Sequence, residues 1–66
     1  MALHELLRST RDERQLSRHA LAHKSGVSTA TIARIELYAV EPRPSTVRAL
    51  AEALDVEPSI FFAEQA

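Results

Sequence analysis

A single glycine, Gly26, stands in this 66-residue chain, within the stretch SGVSTATIARIE from Ser25 to Glu36. It separates two segments of helical character, and that placement constrains the fold more than any other feature. Glycine enters the left-handed backbone region without a steric penalty, which makes it the cheapest residue for ending a helix. Arg18–Lys24 reads as a short helix capped by Ser17, with Leu16 just ahead of the cap to staple against Leu21. Ser28 caps the next helix, about Thr29–Tyr38, whose buried stripe is Ile32 and Ile35, with Val27 tucked in before it. The expectation is two short helices meeting at a sharp corner.

The rest of the chain is helical in character as well. No period-two alternation persists, and Ala, Leu, Arg and Glu dominate. A first helix over about Leu3–Arg14 places Leu3, Leu6, Leu7 and Thr10 on one face. The two prolines of VEPRP break the chain after the third helix. Ser45 is expected to cap a fourth helix reaching Leu54, with Val47, Leu50, Ala51 and Leu54 facing inward. Pro58 then opens a last short turn carrying Ile60, Phe61 and Phe62.

One domain over residues 1–66 follows. Folding at this size buries only about 60% of the surface the unfolded chain exposes. The chain has no cysteine, so neither a disulfide framework nor a cysteine zinc site supplements the core. Helix packing and self-association remain. A hydrophobic content of 45% with 26% charged residues fits a folded soluble chain. No apolar run approaches the roughly 18 residues of a membrane span, and no signal segment opens the sequence, so a cytoplasmic protein is expected.

The formal net charge is −1, which taken alone speaks against nucleic acid. Its distribution speaks otherwise. All eight Lys and Arg lie within residues 1–48 beside five acids, whereas residues 49–66 carry four acids and no base. A basic N-terminal part with an acidic tail is compatible with one phosphate-facing surface.

Two helices joined by a glycine turn, the second beginning Ser-Thr-Ala-Thr, form a helix-turn-helix signal over about residues 17–38. Ala22 is small where the helices cross, and the short side chains at 29–31 allow the backbone to approach a groove. From about Glu5 to Phe62 the chain resembles the Cro/C1-type (XRE) helix-turn-helix family. The matching pieces are LSRHALAHKSGVSTATIARIE, the EP before a helix starting at ST, then LAEALDV and PSIFF.

The resemblance implies an all-α, five-helix, lambda-repressor-like domain that binds double-stranded DNA as a homodimeric transcription regulator, needing no cofactor. It places Thr29, Ala30 and Arg34 at base edges in the major groove. It places Arg18, Thr31 and Arg43 at the DNA backbone, with the cap residue Ser28 beside them. It makes Arg11 and Glu36 a structural ion pair between the first and third helices. Two positions depart from the family. Tyr38 stands where glycine is frequent, so the third helix is expected to end differently, for instance a turn later. Ala30 offers only apolar contact, which leaves Arg34 as the one strong reader.

Other features have plainer readings. His19 and His23 have the i, i+4 spacing of a zinc pair but lack a third ligand, so they read as surface histidines. Arg8 and Arg14 read as ordinary surface charges. His4 beside Glu5 is a weak acid–base pair, and no nucleophile–base arrangement or phosphate-cradling loop appears, so no enzymatic activity is expected. Ile60, Phe61, Phe62 and Tyr38 are candidates for a dimer interface. A division of labour is expected at the C-terminal segment 58–63, with one or two of its apolar residues closing the core. An alternative function keeps the fold but binds a protein, as an antitoxin binds a toxin. The chain reads either as a whole small regulator or as the DNA-binding part of a longer one.

Overall fold

The computed structural model describes residues 2–65, with side chains described from Ala2 to Phe62. Five helices follow one another: α1 (Leu3–Glu13), α2 (Arg18–Ser25), α3 (Thr29–Tyr38), α4 (Pro44–Ala53) and α5 (Pro58–Gln65). Their principal contacts close a ring. α1 packs on α3 and α5, α2 on α3 and α4, and α4 on α5. Inside the ring lie Leu7, Leu21, Ile32, Ile35, Val47, Leu50, Ala51, Leu54 and Phe61, all buried. Each helix contributes at least one of them, so the core forms only when all five helices are in place.

The local signals around the corner operate as expected from sequence. Ser17 Oγ accepts from the Ala20 amide at 3.0 Å, and Ser28 Oγ accepts from the Thr31 amide at 3.1 Å. Each satisfies a donor that the first turn of a helix leaves without an internal partner. Gly26 takes φ of 77° and donates to the Ala22 carbonyl, ending α2 just after Ser25. Leu16, Ala22 and Val27 pack against the core from around the turn.

Three expectations are corrected. Ser45 does not cap α4. Arg43 is the N-cap residue and Pro44 opens the helix, because proline's fixed φ suits the first helical position and the missing amide costs nothing there. α3 does not run a turn longer. It ends at Tyr38 because Ala39 itself turns left-handed, with φ of 54°, and the Ala39 and Val40 amides close onto the Ile35 and Arg34 carbonyls. The fifth helical segment, expected from Pro58, runs to Gln65. Arg14 is more than a surface charge, since its Nε donates to the Leu54 carbonyl at 2.9 Å and so ties the end of α1 to the end of α4.

At the C-terminal segment the labour is divided residue by residue. Phe61 is 1% exposed. As an interface candidate it is corrected, because its ring fills the core of its own protomer. Ile60 is 46% exposed and Phe62 is half-buried. Residue 63 lies outside the side chains described.

Candidate DNA-binding surface

The site is built on α3, and its foundations are internal. Ile32 and Ile35 sit in the core, and Glu36 turns back toward α1 and α2. Arg11 Nε donates to Glu36 Oε2 at 2.8 Å and Arg11 Nη2 to Oε1 at 3.0 Å, a two-bond fork. Arg11 Nη1 donates to the Leu16 carbonyl at 2.7 Å, which fixes the chain entering α2. A third cationic contact was not legible in the sequence. Arg18 Nε donates to Glu36 Oε1 at 3.1 Å.

Burial pushes the Glu36 carboxyl up, but the hydrogen bonds from Arg11 and Arg18, with their charges, outweigh it and hold the group below its ordinary value. The Arg11 guanidinium is raised by its bond to Glu36, against the opposing effect of burial. A buried carboxylate with two arginines is fully paired, so it fixes how α1, α2 and α3 meet. Its net contribution to stability is smaller than the strength of its bonds suggests, because three ions lose water to make it.

The outer side of α3 carries the expected contact residues. Ser28, Thr29, Ala30 and Arg34 are exposed and Thr31 is half-buried. Among the described residues, no hydrogen bond or ion pair engages the Arg34 side chain. Ser28 Oγ lies 2.8 Å from Thr31 Oγ1 while accepting from the Thr31 amide. The Ser28 hydroxyl donates to Thr31 Oγ1, which leaves the Thr31 hydroxyl proton to donate outward.

A groove between α3 and the start of α4 brings Thr31, Arg34 and Arg43 together, with Ile35, Val40, Glu41, Pro42 and Thr46 completing its lining. Thr46 carries no signal in the sequence, because nothing there indicates that the first turn of α4 comes beside α3. Across the α2–α3 corner a shallower crease holds His19, His23, Gly26, Ser28 and Thr29. Tyr38 is 75% exposed, beside exposed Leu37 and Val40. Among the described residues, no group of three or more His, Cys, Asp or Glu gathers as a metal site would require.

A capped α2, a glycine corner and an α3 anchored on one side and open on the other define a helix-turn-helix domain. Residues 7–61 match the helix-turn-helix family, and the chain belongs to it, in its Cro/C1-type (XRE) branch of transcription regulators. It is similar to the HTH-type transcriptional repressor RghR of Bacillus subtilis (strain 168), with 49% identity over 53 residues. Those residues make up 79% of this chain and 39% of the repressor, so the chain spans well under half the length of that relative. Among the described residues, no helix is long and apolar enough to cross a membrane.

Proposed function

We propose that the chain binds duplex DNA sequence-specifically as a homodimer and regulates transcription in the cytoplasm, with α3 in the major groove and α2 across the backbone. The observation that carries this reading is the division of α3. Ile32, Ile35 and Glu36 are buried, whereas Thr29, Ala30 and Arg34 are exposed on the same helix. A major groove about 12 Å wide admits such a helix. Arg34 pairs with guanine, Ala30 meets a thymine methyl and Thr29 serves either kind of contact. Arg18, Ser28, Thr31 and Arg43 take backbone phosphates, positioning the helix without reading sequence. Exposed Ile60, half-buried Phe62 and exposed Tyr38 supply the dimer contacts, which set half-sites about one helical turn apart. The name of the similar Bacillus subtilis protein favours repression over activation.

Selection of bound duplexes from a random pool, followed by titration at several salt concentrations, tests this reading. The wild type should bind its selected site with a steep salt dependence, and Arg34→Ala should lose preference for that site while keeping non-specific binding. If Arg34→Ala bound the selected site as tightly as wild type, Arg34 would not be a reader. Absence of salt-sensitive binding by the wild type would remove the whole reading.

The exposed apolar run Leu37, Tyr38 and Val40 favours a second reading, in which the fold binds a partner protein such as a toxin. A stoichiometric co-purifying protein together with no DNA binding is the result expected of it.

A further inference from the structure

We propose that Glu36 is a positioning residue for DNA binding: it grips Arg18 by Nε and leaves the two terminal guanidinium nitrogens for a backbone phosphate beside α2. The inference rests on the DNA-binding reading above and deepens it.

Three observations carry it. Arg11 alone already supplies Glu36 with two hydrogen bonds, at 2.8 and 3.0 Å, one to each carboxylate oxygen. Arg18 therefore brings a second cation to a carboxylate that one cation already binds, and exposed Asp12, 3.5 Å from Arg11 Nη1, is the second carboxylate of the cluster. The Arg18 cation is the one toward solvent, since its side chain is 32% exposed against 10% for Arg11 and none for Glu36.

The grip also leaves the right atoms unused. Among the described residues, Arg18 donates only through Nε, and its terminal nitrogens make no hydrogen bond. A guanidinium presents two donor edges, so it can hold a carboxylate on one and a phosphate on the other; an ammonium cannot keep that division. Arg18 is also the first residue of α2, immediately after the Ser17 cap, where the helix dipole favours an anion. An arginine held in place before the DNA arrives loses less rotamer freedom on capturing a phosphate than one loose in solvent.

The test is the dissociation constant for a selected duplex across a salt series. It is measured for wild type, Arg18→Lys, Arg18→Gln, Glu36→Gln and the double variant Arg18→Gln/Glu36→Gln, with helicity checked by circular dichroism. Arg18→Lys keeps the charge but should lose about tenfold in affinity, close to Arg18→Gln, because the ammonium goes to Glu36 or to the phosphate and not to both. The salt slope should fall by about one in both variants. Arg18→Gln should cost about tenfold beside Glu36 and less than about threefold in the Glu36→Gln background.

An Arg18→Lys protein that binds with wild-type affinity and slope overturns the proposal. So does an equal cost of Arg18→Gln in the two backgrounds, the result expected if Glu36 only holds the fold together. Should Glu36→Gln fail to fold, the Arg18→Lys comparison decides. Failure of the wild type to bind DNA at all would overturn the underlying reading, and no Arg18 variant can mimic that result.

Discussion

Ala39 holds a left-handed backbone, φ 54°, where a glycine would be free of strain; Gln15 at 58° and Asp55 at 59° do the same after α1 and α4. Such a conformation costs an L-residue about 1–2 kcal/mol, and glycine gives back part of that gain by freeing the unfolded chain. Ala39→Gly should therefore raise stability by roughly 0.5–1 kcal/mol in urea titrations. Gly26→Ala should lower it by about 1 kcal/mol. A methyl group there would meet nothing within 4 Å, so the cost is that of the backbone alone.

Glu36 gives a prediction in pH. The unfolded chain holds this carboxyl near its ordinary 4.5 and the folded chain holds it lower. Between those values the unfolded state binds more protons, so stability falls as pH falls. The contribution is complete above about pH 4.5 and disappears as the pH drops through the folded value. Glu36→Gln should flatten the acid limb of a stability–pH profile. It should also lower stability at neutral pH by roughly 3 kcal/mol or more, since Arg11 is left buried without its carboxylate.

Within α5, neighbouring residues divide sharply in what they do. Phe61→Ala should cost about 3–5 kcal/mol and leave the chain largely unfolded, as thermal melts would show. Ile60→Ser should leave the fold intact and weaken self-association, which sedimentation would detect. The sequence could not assign these roles, because consecutive residues on a helix point about 100° apart and three apolar neighbours mark no single face. It was far more informative at the corner, where Ser17, Gly26 and Ser28 act through their own backbone and so announce themselves locally. The start of α4 was misjudged for the opposite reason: Ser45 is a good cap by type, but Pro44 before it already fits the first helical position. Arg34 and Arg43 could be singled out by their family positions, but the groove joining them to Thr46 depends on how α4 packs. The bond from Arg18 to Glu36 likewise spans 18 residues, and no periodicity reports it.

The ring of helix contacts makes the molecule a cooperative unit in which a loss at any one helix is felt by the whole. If two such units pair as proposed, the melting temperature should rise with protein concentration, because association stabilises only the folded state. A melting temperature independent of concentration over two decades would indicate a monomer. The division of α3 has a wider consequence. If α3 reads DNA as proposed, residues 29, 30 and 34 can be exchanged without disturbing a buried neighbour, so new target sequences are open to mutation while the scaffold stays as it is. On the same proposal Arg18 is the exception, because it would serve scaffold and ligand at once. Specificity would then be free to drift, whereas the grip on the DNA backbone would be tied to the molecule's own folding.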